Sequence, residues 1–475
     1  MIAAIVGKEL MECRRDRRVL IVAALIGLLA LGSLATGWST FAEQQRHMRD
    51  AQLDDRASFV RQGEKPPHSA AHFGRMAYKP APALAVFDPG ATPYLGQVVW
   101  LEAHRQSPAM FRPAEDALEL RRIADLSVAG VLTTLLPLLM FLAGHGAFAA
   151  ERERGTLRQV LSSGADLRSL FAGKISALVA LGVGACVVTI CVSTVLAMMA
   201  PGSVSKIDIL ARSVCLVLAY AAYSATFAAV ALFVSAHARD ARSALLILLA
   251  LWAVTVILLP RIAASVAERF HPTPVSSAFW HQASETMRTT RPSRESPAYH
   301  EAERVVLSRA LGRHVAASEI ASLALNRAGL RLEVSELLDA SVYADAYRAL
   351  YATYADQKRM RRLISLLSPA IALQHFSSAL AGTDVSAHQH FVLEAERQRH
   401  IIIRRMNEDM MLNGVGQNDR YVAGEALWRS IPDFFYHPPS ISFAVRSTGW
   451  DLVVLLLWSA IAFWSSWRSA RRQQS

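Results

Sequence analysis

Six apolar stretches alternate with polar segments of very unequal length along this chain. About 20 apolar residues in a helix are enough to cross the ~30 Å hydrocarbon core of a membrane. The pattern therefore predicts six transmembrane helices, numbered here in chain order: Val19–Trp38, Ser127–Phe148, Ile175–Ala200, Ile209–Ser235, Ala244–Arg261 and Trp450–Trp467. The first run is too long for a signal-peptide core, and we expect it to be a retained span.

Basic residues in the short polar segments predict the orientation. They cluster in the N-terminal 18 residues, after the second span, after the fourth span and at the C-terminus, and six spans place all four segments on one side. The opposite short loop, Pro201–Asp208, carries only Lys206. Because short cytoplasmic loops are enriched in Lys and Arg, we expect both termini on the cytoplasmic side of the membrane. The long regions 39–126 and 268–449 are then extracytoplasmic.

Composition supports this class. Hydrophobic residues make up 53% of the 475 residues and charged residues only 19%, as expected for a multi-pass membrane protein. The formal net charge of +11 does not indicate a nucleic-acid partner, because many basic residues flank the spans and they form no single patch. The four cysteines show neither a disulfide framework nor a metal-binding spacing.

The two long polar regions are predicted to differ, and only the second is mostly helical. In the first, the helix of span one continues to about Gly63, a loop follows over Pro66–Pro113, and a further helix starts at Ala114. The second region shows apolar positions at helical spacing over Glu301–Met411 and is long enough for a core of its own. The predicted fold is an all-α membrane protein with six spans and two extracytoplasmic insertions, of which the second is larger.

The first 18 residues have the pattern of an amphipathic helix. An apolar stripe lies opposite charged positions, and a basic run, Arg14–Arg18, closes the segment. This favours a helix lying in the cytoplasmic interface over a plain basic flank. The stripe is Ile2, Ile5, Val6 and Leu10, and the charged positions are Lys8, Glu9 and Glu12.

A charged segment, 150–174, separates the second and third spans. Its charges cannot lie in hydrocarbon, so the segment must project from the membrane, and Gly155 allows the chain to turn. We expect it to contact a soluble partner rather than to be an unpartnered basic loop. The contacting residues predicted are Glu151, Arg152, Glu153, Arg154, Gly155, Thr156, Leu157, Arg158 and Arg168.

The N-terminal segment and residues 151–174 resemble type-two ABC transporter permeases. The run Glu151–Arg158, the stretch Val160–Gly164 and the pair Gly173-Lys174 are similar to the coupling helix of that family, although a proline is common there at the position of Gly164. Leu367-Ser368-Pro369 and Phe376–Asp384 resemble a bacterial subfamily with a large extracytoplasmic domain, of no assigned function, between spans five and six. The late Pro432–Phe435 and Pro438-Pro439 also suit that subfamily.

This resemblance implies a location in the inner membrane of a bacterium and a set of partners. The permease would act as a dimer, with a second copy or a similar permease, on two ABC ATPase subunits. The chain itself would be no enzyme and would bind no cofactor, and ATP and Mg²⁺ would sit on the ATPase. The sequence is consistent with ATP binding on a separate subunit. The nearest match to a phosphate-binding loop is Gly173-Lys174, but Ile175 follows where Ser or Thr is required, and Arg168 stands in place of the first glycine.

Other polar residues give weaker predictions. His145 in span two and Tyr220, Tyr223, Ser224 and Thr226 in span four are candidates for lining a pathway or dimer interface, while Arg212 and Arg261 are expected to reach the outer surface of the membrane. His388, His390 and Glu394 form a weak metal candidate. The favoured interpretation there is a helix start capped by Asp384.

Three functions remain open. The leading one is an ATP-driven exporter coupled through 150–174. The second is a mechanical transducer that uses ATP hydrolysis to move its extracytoplasmic domains against a partner protein without transport. The third, weaker one is metal or cofactor maturation, because a nitrous-oxide-reductase assembly permease is a relative within the resembled family.

Overall fold

Long apolar helices dominate the chain. The computed structural model describes residues 1–116, 126–200 and 204–472. Within these residues six helical stretches are long and apolar enough to cross a membrane, which confirms the predicted all-α membrane fold. They are Arg17–Val60, Val128–Glu153, Leu167–Met199, Lys206–His237, Ala241–Phe270 and Ile441–Ser469.

Apart from the capping residues Ser127 and Ala200, each predicted apolar run lies in one of these helices, and most of the helices extend beyond the runs. In chain order the helices are α1 (Ile2–Arg15), α2 (Arg17–Val60), α3 (Pro67–Phe73), α4 (Pro113–Asp116), α5 (Val128–Gly144), α6 (Ala149–Glu153), α7 (Thr156–Ser162), α8 (Leu167–Met199), α9 (Lys206–His237), α10 (Ala241–Trp252), α11 (Leu259–Phe270), α12 (Ser276–Thr290), α13 (Pro297–Leu311), α14 (Arg327–Ser365), α15 (Pro369–Ala381), α16 (Val385–Asn413), α17 (Glu425–Ser430) and α18 (Ile441–Arg472). A π-helical segment, Ala253–Leu258, joins α10 to α11 within the fifth span.

The first span is one uninterrupted helix that leaves the membrane. Asp16 has extended backbone angles and its side chain accepts a hydrogen bond from the Arg18 amide at 2.8 Å, so α1 ends there and α2 begins. With no proline inside, α2 runs for 44 residues, about 66 Å at the rise of an α-helix. About half of that length exceeds a hydrocarbon core. The predicted continuation of span one towards Gly63 is confirmed.

The expected loop between Pro66 and Pro113 is more ordered than the sequence predicts. It contains α3 and a three-stranded antiparallel sheet in the order β1 (Arg75–Tyr78), β2 (Val98–Leu101) and β3 (Ala109–Met110). Arg75 pairs with Leu101, and Val98 pairs with both Tyr78 and Met110. The predicted helix from Ala114 begins as α4, and its continuation lies outside the described residues. So do residues 201–203 of the loop between spans three and four and residues 473–475 at the end of the chain.

The buried apolar residues form three clusters. The largest joins the six spans, and it also includes α15, whose apolar residues pack with those of the spans. A second cluster lies between the outer end of α2, α3, the sheet, α16 and α17. A third joins α13, α14 and the end of α16. The predicted core of the larger insertion therefore exists, and α15 connects it to the membrane bundle.

Candidate functional site

The segment between the second and third spans is built from two short helices and two left-handed turns. Gly155, with a φ of 73°, separates α6 from α7, and Gly164, with a φ of 92°, precedes the third span. Glycine adopts such angles at little cost, whereas proline is restricted to a φ near −65°. The backbone at Gly164 is therefore open to glycine and closed to proline. Asp166 then caps α8 by accepting a hydrogen bond from the Ser169 amide at 3.1 Å.

A buried ion-pair cluster ties the N-terminal helix to this segment. Lys174, only 1% exposed, donates to Glu9 at 2.6 Å and to Glu151 at 2.9 Å. Lys8 donates to the same Glu151 oxygen at 2.7 Å. The carboxylates of Glu9 and Glu151 lower the energy of a lysine that has left water, and removing any member leaves a nearly buried charge without its full set of partners.

Close packing brings the ion-pair cluster together. A Cβ atom on Gly173 would lie 2.5 Å from the side chain of Ile5, so only glycine lets α1 approach α8 this closely. The apolar stripe predicted on α1 therefore includes a contact with protein at Ile5. The sequence prediction did not assign Lys8, Glu9 or Lys174 to the site. The available signal was a lysine at the start of an apolar span.

Arg152 is exposed, but its side chain is held by backbone carbonyl groups of the same chain. Its guanidinium donates to the carbonyl oxygens of Ala236 at 3.1 Å and of Ala238, at the end of the fourth span. The hydroxyl of Ser235, which is fully buried, accepts from the backbone amides of Phe148 and Ala149 at 3.0 and 3.1 Å. Free carbonyl groups at a helix C-terminus favour a cation there. The segment is thereby fixed to spans two and four as well as to α1.

The remaining predicted residues divide into supporting and exposed groups. The hydroxyl of Thr156 donates to the carbonyl oxygen of Glu151 at 3.2 Å, and Leu157 packs against the membrane core. Exposed charges cover the rest of the segment, namely Glu153, Arg154, Arg158 and Arg168. The predicted contact set thus separates into an internal anchor and an outer face of mixed charge.

The pathway candidates of span four lie inside the bundle of this chain. Tyr220 and Tyr223 are fully buried and donate to the carbonyl oxygens of Ala129 and Thr133 in span two, at 3.4 and 2.7 Å. Their roles in a pathway stay a prediction.

The other candidates are similarly engaged. The hydroxyl of Ser224 lies 3.5 Å from the Met140 sulfur, and Thr226 lies 2.9 Å from the Ser459 hydroxyl of span six. His145 approaches the carbonyl oxygen of Leu142 through Nδ1 at 2.9 Å. All five candidates thus have partners within the same chain.

Arg212 ends among protein groups and not at the open membrane surface that its expected snorkelling required. Arg212 is 7% exposed and its guanidinium binds Asp208 at 2.6 Å, the carbonyl oxygen of Leu380 at 2.8 Å and that of Pro439 at 2.6 Å. The reason is that α15 and the chain before α18 pack over the end of span four and supply acceptors where the sequence suggested only membrane and water. Arg212 therefore joins span four to the polar insertion 268–449.

The weak metal candidates on α16 have different partners. Asp384 accepts from the Ala387 amide at 3.0 Å, which confirms the predicted helix cap. His388 is buried, and its pKa falls to about 3 because burial and then nearby Lys79 disfavour the cation. Nδ1 of His390 lies 3.2 Å from the Tyr436 hydroxyl, and Glu394 pairs with Arg397. Residues two apart on a helix point in different directions, so the two histidines diverge.

Six apolar helices with a charged, double-turn segment between the second and third define a polytopic membrane protein built to present that segment outside the bilayer. Residues 3–464 match the model of a family described as ABC-2 family transporter protein. The chain belongs to this family, and it is the permease subunit of an ABC transporter, a membrane component that works with an ATPase partner. No curated protein matches the chain.

Proposed function

We propose that this chain is the permease of an ATP-driven exporter and that segment 150–174 is the coupling element. The observation that carries the proposal is the division of the segment into an anchored side, with Glu151, Arg152 and Lys174, and an exposed charged side. Force applied to the exposed side by ATPase closure would reach spans two, three and four and α1 through ion pairs and hydrogen bonds.

The test is co-purification of the ATPase with wild-type and altered permease. We expect Glu153→Lys to weaken retention of the ATPase, because Glu153 is exposed and has no structural role in the anchor. Glu425→Lys, at an exposed glutamate on the short helix α17, is the matched control. Equal retention of the ATPase by wild type and Glu153→Lys, together with unchanged ATP hydrolysis, would contradict the proposed contact.

A second candidate function, mechanical transduction, has specific support in the connections between spans and outer region. The continuous helix α2 reaches the outer region, where Arg56 donates to the carbonyl oxygen of Ile431 at 3.0 Å. At the start of span six, Asp451 is fully buried and pairs with Arg362 of α14 at 3.3 Å and His375 of α15 at 2.9 Å. With Arg212, these contacts join three spans to the outer region.

Transport and transduction predict different results in reconstituted vesicles. If the chain is an exporter, its substrate should stimulate ATP hydrolysis and should accumulate on one side of the vesicle membrane. Under transduction, distances between spin labels in the outer domains change between nucleotide states without accumulation. Substrate-stimulated hydrolysis with vesicle uptake would exclude pure transduction.

A further inference from the structure

Three histidine rings of the first insertion converge. Nε2 of His68 lies 3.2 Å from Nε2 of His72 and 3.2 Å from Nε2 of His104, and the three ligand atoms lie within 4.8 Å of one another. His68 and His104 are partly buried and His72 is exposed, so the group is open to solvent on one side. It is the one such group of three or more metal-ligating side chains among the residues that the structure describes.

The local fold places the rings. His68 and His72 lie four residues apart on α3, so they share one face of the helix. His104 follows β2 and has a φ of 71°, an uncommon angle for a residue other than glycine. Two hydrogen bonds hold this turn: the His104 amide donates to Glu336 at 3.0 Å, and the Ala103 amide donates to the carbonyl oxygen of Ala71 at 3.3 Å.

Hydrogen bonds between the rings cannot account for both short contacts of His68 Nε2. Each ring nitrogen is either one donor or one acceptor in neutral imidazole, so Nε2 of His68 can form a full hydrogen bond with only one of its two close neighbours. The other contact at 3.2 Å then lacks a bond. A cation between the three nitrogen atoms satisfies all of them at once.

The distances fit a particular kind of ion. Zinc–nitrogen bonds of about 2.0–2.1 Å in tetrahedral geometry place ligand nitrogens roughly 3.3–3.4 Å apart, close to the two short separations. Imidazole nitrogen suits zinc and neighbouring transition metals, whereas Mg²⁺ and Ca²⁺ prefer oxygen.

We propose that His68, His72 and His104 bind one divalent ion of the zinc class through Nε2, with the fourth position facing solvent. Three histidines with one open position are the donor set of catalytic rather than closed structural zinc sites, so this position can accept water or a small anionic ligand.

We expect the three histidines to bind the ion with moderate affinity. Metal-binding histidines usually donate from their other nitrogen to a carboxylate or carbonyl group. Nδ1 of His68 is buried without a hydrogen-bond partner among the described residues, so this ring lacks that support. The site lies outside segment 150–174 and does not depend on the coupling proposal.

The test is calorimetric titration of the full-length chain with Zn²⁺, after chelator treatment and with a purification tag free of histidine. We expect one ion per chain, and X-ray absorption showing nitrogen neighbours at about 2.0–2.1 Å. His72→Gln, at the exposed ring, should weaken binding at least tenfold, and His104→Asn should do the same, since asparagine tolerates the turn angle. His281→Gln, at an exposed histidine on α12, is the control.

Two outcomes would overturn the proposal. One is a wild-type chain that binds no stoichiometric zinc. The other is binding that His72→Gln and His281→Gln weaken equally, because the ion would then be held at scattered surface histidines. Competition by excess Mg²⁺ would also count against an imidazole site.

Discussion

Replacing Lys174 by methionine removes the charge at the centre of the ion-pair cluster and keeps most of the length of the side chain. At the observed separations of 2.6 and 2.9 Å, each ion pair attracts by roughly 6 kcal/mol at an effective dielectric constant of about 20. Most of that attraction offsets the loss of water around the charges. Breaking such a pair typically costs about 3–5 kcal/mol, because a buried charge is left unpaired. Lys8 still contacts Glu151 at 2.7 Å, so we expect the lower end, about 3 kcal/mol.

The free energy lost in Lys174→Met should appear first as more frequent opening of α1. Its described contacts with α8 include the Glu9–Lys174 pair and the packing of Ile5 on Gly173. A loss of about 3 kcal/mol raises the opening constant of the helix roughly 100-fold. Hydrogen–deuterium exchange of peptides from Ile2–Arg15, in lipid nanodiscs, measures this directly. Lys206→Met, at an exposed lysine that starts the fourth span, is the matched control.

Exchange in Ile2–Arg15 that stays within twofold of wild type in Lys174→Met would refute the role assigned to the cluster. Faster exchange throughout the chain of Lys174→Met would show general unfolding. In that case the same exchange in Ile2–Arg15 would be measured in Glu9→Gln, which removes one carboxylate of the cluster and keeps the lysine.

Three further predictions follow from single residues. Lys79 is 6% exposed, its Nζ has no hydrogen-bond partner among the described residues, and burial lowers its pKa from 10.5 to about 8. Between pH 8 and 10.5 the folded state therefore binds fewer protons than the unfolded state, so the free energy of unfolding rises with pH across that window. In thermal unfolding, Lys79→Met should stabilise the protein by roughly 3 kcal/mol at pH 7 and by progressively less towards pH 10.5. Arg212→Lys should destabilise by at least about 2 kcal/mol, because lysine cannot bind Asp208 and two carbonyl groups with one planar fork; an unchanged melting temperature would contradict the assigned contacts. Gly164→Pro should lower ATPase coupling at least tenfold, because proline cannot adopt a φ of 92°; full coupling with normal expression would show that this turn is not required.

Hydropathy was sufficient to predict the spans, because about 20 consecutive apolar residues have few alternatives to a membrane helix. It was not sufficient for the region after Pro66. The strands there have four, four and two residues, too short to show an alternating pattern, and they depend on pairing with one another.

Contacts between residues far apart in the sequence were the second feature that could not be predicted. Charge in the sequence was enough to predict an exposed face on segment 150–174. Glu9 and Lys174, however, are 165 positions apart, and Arg212 and Leu380 are 168 apart. Whether an arginine near a membrane surface meets water or a carbonyl group depends on helices packed from elsewhere in the chain. His68 and His72 at helical spacing were visible in the sequence, whereas the third ring, His104, depends on the turn after β2.

The central claim is that the exposed side of segment 150–174 transmits the action of the ATPase. The most direct measurement is ATP hydrolysis by the complex in nanodiscs, comparing wild type with the charge reversal Arg154→Glu/Arg158→Glu. Arg348→Glu/Arg359→Glu, at two arginines of α14 that are each 76% exposed, is the control. We expect the first variant to lose at least tenfold of permease-dependent hydrolysis while α1 keeps its exchange protection, because interface charges contribute about 1–2 kcal/mol or more. Hydrolysis equal to that of wild type and the control would contradict the account.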